Sequence, residues 1–470
     1  MWISLIIIFL VCYLLIALEH VIKINKSAIA LFMAVVLWTI VLFFSTQVAD
    51  LFNKTAFDIF LSQHLSLASQ IHKTQTISFL VNSLLIRHLG DISETLFFLL
   101  GAMTVVELID VNGGFNFITN RISSKHINTL LWVIAFITFF LSALLDNMTT
   151  TIVMIMLIRK LLPLKKIRWW FAGMIVIAAN AGGAWSPIGD VTTIMLWVKG
   201  NITTLPTVTH LILPSLTAMV IPVAIISYRL RGVVKINHTA SVDGRFYEQL
   251  SSSQRRNILI MGIVGLMCVP VFKSVTHLPP FMGILAVLSL LWIYTELAYK
   301  RVKDVEEHKK NRVSRVLSHI DMSTILFFLG ILLAVAALQV AGILGYAANF
   351  LDKTIHNGYI INGIIGVMSS IVDNVPLVAA TTGMYPIQDP NAVQAASYAA
   401  DFIQDGSFWQ LLAYSAGTGG SILLIGSAAG VVVMGLEKMS FAWYMKRFSL
   451  LAFIGYIAGI VVYWLQSLVF

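Results

Sequence analysis

Ser142-Ala-Leu-Leu-Asp146-Asn147 and Ser369-Ser-Ile-Val-Asp373-Asn374 stand 227 residues apart, each inside an otherwise apolar run. Two further matches keep the same order. Asp91-Ile-Ser-Glu-Thr-Leu-Phe-Phe-Leu pairs with Asp321-Met-Ser-Thr-Ile-Leu-Phe-Phe-Leu at an offset of 230. Gly182-Gly183 and Ile188-Gly189 pair with Gly419-Gly420 and Ile425-Gly426 at an offset of 237. Apolar composition alone does not give three ordered matches whose offsets drift so little; an internal repeat does.

The runs around these motifs decide the class. Of 470 residues 58% are apolar and 11% charged, against roughly 25% charged in soluble proteins. So few charges cannot cover the surface of a soluble fold of this size. Continuous apolar runs near 1–22, 27–49, 93–110, 206–228, 256–274, 279–299, 322–341 and 441–465 approach the roughly 20 residues that cross a bilayer as helix. Ile3–Leu18 has no basic leader and no small-residue cleavage site, so it reads as a retained span. Residues 53–90, with Lys54, His64, His72, Lys73 and Arg87, look too polar to span and predict an interfacial helix. Cys12 and Cys268 both lie in apolar runs, which excludes a disulfide framework and a thiolate metal cluster. The net charge of +9 is spread over short loops, which argues against nucleic acid as a partner; the partner is the lipid bilayer. The histidines lack paired metal-ligand spacing, and no cofactor is expected. Glu19, Glu296 and Glu437 fall at span ends, where solvation is the simple expectation.

Four segments are apolar but interrupted: 128–162 and 358–386 by the Asp-Asn pairs, 168–199 and 408–436 by glycine-rich stretches. Lys and Arg in short loops mark the cytoplasmic side. The flanks of 128–162 carry Arg121, Lys125, Arg159, Lys160, Lys165, Lys166 and Arg168, so both its ends read as cytoplasmic and the segment as a re-entrant hairpin. The flanks of 358–386 carry Lys353 against Asp352, Asp389, Asp401 and Asp405, so that hairpin enters from outside. The basic loops 229–256 and 300–315 fall on the cytoplasmic side. The expected architecture is an all-α polytopic membrane protein with an inverted-topology repeat, two re-entrant helical hairpins and two discontinuous helices. Its parts are N-terminal spans (1–90), a first repeat (91–228), connecting spans (229–320) and a second, inverted repeat (321–470). Inverted repeats with broken helices are the mark of secondary transporters whose site lies near the bilayer midplane.

The breaks carry the chemistry. Where a helix stops inside the membrane, its last carbonyls and the next helix's first N–H groups lose their intrahelical partners. Such backbone survives only inside protein or against a polar cavity. Carbonyls, the carboxylates of Asp146 and Asp373, their neighbours Asn147 and Asn374, and the hydroxyls of Ser142, Thr149, Thr150, Ser369 and Ser370 make an oxygen-rich environment that suits a small hard cation. Asp190 adds a third carboxylate after the glycine-rich break, with Asn180 just ahead; its counterpart in the second repeat is Ser427. An isolated Asp at such a place can be a helix cap and nothing more. Two Asp-Asn pairs at matching positions favour a site, since acids within the membrane are costly and default to function. Glu107, near the end of its span, reads equally well as a site residue or a loop partner.

At these residues the chain resembles a known family. Phe97-Phe-Leu-Leu-Gly-Ala-Met-Thr-Val-Val-Glu107-Leu-Ile-Asp110, Leu144-Leu-Asp146-Asn147-Met-Thr-Thr-Thr, Ala179-Asn180-Ala-Gly-Gly-Ala-Trp-Ser-Pro-Ile-Gly-Asp190-Val-Thr-Thr and Ser369-Ser370-Ile-Val-Asp373-Asn374 look like the motifs of NhaD-type Na⁺/H⁺ antiporters of the ion transporter superfamily. The resemblance runs from about residue 90 to the C-terminus. It implies exchange of Na⁺ or Li⁺ for H⁺ across a bacterial inner membrane by a homodimer whose transport domain slides against a scaffold. It also implies that Asp146, Asn147, Asn180, Asp190, Ser369, Ser370, Asp373 and Asn374 form the ion and proton site. The nearest rival is an anion permease of the same superfamily, dicarboxylate or arsenite type, against which the carboxylates at both breaks speak. A proton-channel subunit of a redox pump is a more distant alternative.

Overall fold

The computed structural model describes residues 1–17, 19–49, 54–64, 70–114, 126–230, 250–300, 313–394 and 397–468. The expected topological markers Arg121, Lys125, Arg231, Lys235, Arg245, Arg301, Lys303, Lys309, Lys310 and Arg312 lie outside these residues. Among the described residues the structure is helical, with one isolated bridge between Gln388 and Ile403. Among the described residues, eight helices are long and apolar enough to cross a membrane: Lys26–Phe43, His72–Val111, Ile127–Leu145, Thr204–Arg229, Ser252–Thr276, Pro280–Lys300, Met322–Val340 and Phe441–Ser467. The protein is therefore an all-α polytopic membrane protein. Ser252–Thr276 shows why water is the wrong solvent: it exposes Ile260, Val264, Met267, Val271 and Val275, a stripe at steps of three and four along one helical face. Hydrocarbon accepts that stripe, and the helix satisfies its own backbone.

The chain folds as two compact units. The first comprises Met1–Phe97, Asp321–Asn357 and Pro376–Pro386. Its centre is the pair Lys26–Phe43 and Met322–Val340, joined by polar stitches in an apolar interface. Ser27 Oγ donates to the Ser323 carbonyl at 2.6 Å, and Trp38 Nε1 to the Leu333 carbonyl at 3.0 Å. Asp321 caps the second helix, its carboxylate accepting from Thr324 N and Oγ1. Its sequence counterpart Asp91 caps nothing, because it lies inside Ile86–Val111. That difference goes with a correction to the expected interfacial helix over 53–90. Lys54–Gln63 is a separate helix, but His72–Phe79 runs through a π-helical turn, Leu80–Leu85, straight into Ile86–Val111 as one 40-residue helix. Such a helix is about 60 Å long, twice the hydrocarbon thickness, so the polar residues His72, Lys73 and Gln75 fit on a part that no bilayer core needs to cover. A helix at Ile343–Thr354, in a stretch the sequence reading left unassigned, completes this unit.

The second unit comprises Phe98–Ile320, Gly358–Val375 and Ile387–Phe470. All four interrupted segments are interrupted where expected: Ile127–Leu145 stops at Asp146 before Asn147–Leu161, and Lys165–Ala184 stops before Val191–Val198. Likewise Gly358–Met368 stops before Asn374–Met384, and Ser407–Gly419 before Ala428–Glu437. The boundary between the units falls inside Asn374–Met384, after Val375.

Matching local contacts recur at the breaks. Ser142 Oγ donates to the Ala179 carbonyl at 2.6 Å, and Ser369 Oγ to the Ala416 carbonyl at 2.8 Å. A Cβ on Gly182 would meet the Phe139 carbonyl oxygen at 2.2 Å, and one on Gly419 the Gly366 carbonyl oxygen at 2.0 Å. Neither position has room for a side chain because a helix backbone passes there. Asp190 and Ser427 both occupy the residue before a half-helix, with φ, ψ of −146°, 149° and −147°, 156°.

Candidate functional site

Three helix starts converge on one buried carboxylate. Asp190 is 2% exposed. Its Oδ1 accepts from Asn147 Nδ2 at 3.1 Å, and its Oδ2 from Thr192 Oγ1 at 2.7 Å and Asn374 Nδ2 at 3.0 Å. Thr193 completes the local turn: its hydroxyl donates to the Asp190 carbonyl and accepts the Asp190 N–H. Asn147 and Asn374 are each the first residue of the helix after an Asp-Asn break. Asp190 itself precedes Val191–Val198.

The network continues through Asn180. Its Oδ1 accepts a second bond from Asn147 Nδ2 at 3.1 Å, while its Nδ2 donates to Ser421 Oγ at 3.0 Å and Ser427 Oγ at 2.8 Å. The amide thus joins the first broken segment to the unwound stretch of the second. All of these groups are buried, and buried polar atoms require such partners.

Asp146 and Asp373 lie at the two Asp-Asn breaks and are less enclosed than Asp190. Asp146 has φ 105° and ψ 160°, a region that glycine almost alone occupies. Its carboxylate accepts from Thr149 N at 2.7 Å and Thr149 Oγ1 at 2.8 Å. Asp373 Oδ1 accepts from Val375 N at 3.4 Å. Both therefore cap the helix that follows, but one carboxylate has further lone pairs than a cap uses. Thr150 Oγ1 is buried without a hydrogen-bond partner, an oxygen still available within this region.

Of the other sequence-predicted residues, Ser142 and Ser369 use their hydroxyl protons to tie the residues before the Asp-Asn breaks to the helices Lys165–Ala184 and Ser407–Gly419, as described. Ser370, just past the end of Gly358–Met368, donates back to the Val367 carbonyl. Glu107 is half-buried on Ile86–Val111, a helix that contributes none of the hydrogen bonds drawn above. Two residues were missed. Ser421 carries no signal on its own, since a serine in a glycine-rich stretch is ordinary. Glu437 was expected to be solvated, and the structure corrects this: its side chain is fully buried between Arg159 Nε at 2.7 Å and Arg168 Nε at 3.1 Å. A signal existed. An acid in the last turn of a helix faces the negative end of the dipole, so Glu437 needed a cation.

The geometry offers carboxylate, amide and hydroxyl oxygens at interrupted helices, a donor set for a small cation or a proton. Comparison with known proteins agrees in class. The profile of the citrate transporter family matches residues 13–400. "Sodium/proton antiporter 1" of Arabidopsis thaliana is 43% identical over 95% of this chain and 69% of its own length. "Sodium/proton antiporter 2" of the same plant is 42% identical over 96% of each. "Na(+)/H(+) antiporter NhaD" of Vibrio cholerae is 27% identical over 98% of this chain and 91% of its own. The chain belongs to the citrate transporter family, and along nearly its whole length it is similar to sodium/proton antiporters.

Proposed function

We propose that this protein is a secondary transporter that exchanges Na⁺ (or Li⁺) for H⁺ across a membrane. The observation that carries the reading is the buried Asp190 carboxylate held between Asn147 and Asn374, one residue from each Asp-Asn break. In this reading Na⁺ and H⁺ compete for the carboxylates of Asp146, Asp190 and Asp373. An ion that occupies the oxygens excludes the proton, so exchange needs no separate coupling device. Asn147, Asn180 and Asn374 orient the acids, and their amides can turn an oxygen or an N–H toward the site as its charge changes. The acids sit at interrupted helices, where irregular backbone supplies further carbonyl oxygens.

The same reading includes an inverted repeat with the two hairpins entering from opposite faces. Two observations support it. Arg159 and Arg168, both assigned to the cytoplasmic side by loop charge, each meet Glu437 at the end of the second broken segment. Asp405, assigned to the outside by loop charge and placed just before that same segment, meets Thr203 beyond the end of the first. A homodimer and a bacterial inner membrane rest on the resemblance to the NhaD antiporters alone. The spans and the transporter family make the protein a multi-pass membrane protein.

A second reading, carriage of an anion, has the name of the family in its favour. Against it, the donors at the site converge on a carboxylate and are amides and hydroxyls. Reconstitution separates the two. Purified protein in liposomes is expected to move protons when a Na⁺ gradient is imposed with no organic anion present. Proton movement that requires citrate or another dicarboxylate would replace the antiport reading with the anion one.

A further inference from the structure

Both broken segments are tied down at the ends far from the site, and the ties correspond. In the first, Glu437, the last residue of Ala428–Glu437, binds Arg168 in the opening turn of Lys165–Ala184 and Arg159 at the end of the first hairpin. Arg159 also donates to the Leu436 carbonyl, and Trp169 Nε1 to the Glu437 carbonyl at 3.2 Å. The end of the second broken segment is thereby fastened to the start of the first. The second tie is the converse. Asp405, just before Ser407–Gly419, accepts from Thr203 N and Thr203 Oγ1, both at 2.6 Å, and from Gln410 Nε2 at 3.1 Å. Its own N–H donates to the Asn201 carbonyl at 2.9 Å, and Gln404 Nε2 to the Gly200 carbonyl at 2.7 Å. Here the end of the first broken segment is fastened to the start of the second. The offset of 237 that relates the glycine-rich breaks carries Arg168 onto Asp405 and Gly200 onto Glu437. The positions correspond, while the chemistry has been rewritten from a cation at the entry to an acid.

We propose that Glu437 and Asp405 are positioning residues for the ion site, each setting from a distance where a half-helix presents its first residue. The unwound stretches between the half-helices have no continuous backbone ladder to hold the two pieces in line. Something else must place them. Val191–Val198 and Ala428–Glu437 are short and stiff, about 12 and 15 Å long, with Asp190 and Ser427 at their starts. Fixing the far end of each therefore fixes the near end, where Asn180 bridges to Ser427 and Asn147 to Asp190. A site set by such remote supports loses fit when a support loosens by even about 1 Å. At Glu437 the support is an ion pair whose acid is buried, and removing that charge is a strong way to loosen it. At Asp405 it is a carboxylate accepting from Thr203 and Gln410, whose bonds weaken when the charge is lost.

This proposal rests on the reading of Asp190 and its neighbours as the cation site, and the experiment separates the two. The full-length protein is reconstituted, and the apparent KM for Na⁺ and the maximal exchange rate are measured for wild type, Asp405→Asn and Glu437→Gln. If wild type shows no Na⁺-driven exchange, the site reading fails. If wild type exchanges Na⁺, the variants are expected to raise KM by about threefold to tenfold with the maximal rate nearly unchanged. Should Glu437→Gln not fold, Arg168→Lys keeps the charge, removes the Nε donor and is expected to raise KM by less. Rescue distinguishes positioning from general damage. In Thr203→Cys/Asp405→Cys, a short reducible bis-methanethiosulfonate bridge is expected to restore KM, and reduction to raise it again. A wild-type KM in folded Asp405→Asn, or a KM indifferent to closing and opening the bridge, overturns the proposal.

Discussion

Asn147 and Asn374, 227 positions apart in sequence, donate to opposite oxygens of a single carboxylate, that of Asp190, at 3.1 and 3.0 Å. The correspondence of the two asparagines is thus expressed on a residue that has no acidic counterpart, since the equivalent position holds Ser427. One acid serves both halves. Losing it should be more damaging than losing either amide. Asp190→Asn is expected to abolish Na⁺/H⁺ exchange in proteoliposomes. Asn374→Ala, which removes one charge-assisted bond of about 1.5 kcal/mol, is expected to raise the apparent KM about tenfold. Equal effects of the two variants would place Asp190 outside the ion path.

Asp146 and Asp373 cap helices and, in the proposed reading, also carry ions. Asp146→Asn and Asp373→Asn separate these roles, because an amide oxygen still accepts the capping bond from Thr149 N or Val375 N while the charge is gone. Both variants are expected to insert and fold with little loss of stability and to lose exchange. Wild-type transport by either would reduce that aspartate to a cap.

Orientation can be read from single cysteines placed in a Cys12→Ala/Cys268→Ala background. Lys165 and Asp389 are both exposed. A membrane-impermeant thiol reagent is expected to reach Lys165→Cys only from the cytoplasmic side and Asp389→Cys only from outside. Labelling of both from one side would refute opposite entry of the two hairpins.

Competition has a pH signature whose sign is fixed. A carboxyl group that holds a proton cannot hold Na⁺ with the same oxygens. Lowering pH is therefore expected to raise the apparent KM for Na⁺, by up to about tenfold per pH unit for each proton that must leave. Because linkage is reciprocal, adding Na⁺ to the detergent-solubilised protein in weak buffer is expected to release protons. An affinity constant between about pH 6 and 9, with no proton release, would reject shared carboxylates.

Much of this architecture was legible from the chain because interruption leaves a local trace. An Asp-Asn pair or a double glycine in an apolar run is visible without knowing what packs on it. The helix ends at the four interrupted segments accordingly fall within a few residues of these motifs. What was misjudged depended on distant partners. Glu437 looks solvated until Arg159 and Arg168, more than 260 residues earlier, fold onto it. Asn180 gives no hint in sequence that it reaches Ser421. The helix through His72–Val111 was cut short because polarity was read as a boundary, although helical hydrogen bonding continues beyond the bilayer core at no cost.

In the proposed reading, the backbone at Asp146 sets transport and robustness against each other. At φ 105° a side chain is tolerated at a cost of about 1–3 kcal/mol, which glycine would not incur. Asp146→Gly, which forfeits only about 0.3 kcal/mol of capping, is thus expected to keep the fold and raise its Tm, while leaving no exchange in the proposed reading. A laboratory selection for heat resistance alone, blind to ion flux, is expected to drift toward that glycine and, if Asp146 carries the ion, to yield a hardier protein without exchange. Any programme of stabilising this carrier for biophysical work has to hold position 146 fixed and seek its gains elsewhere.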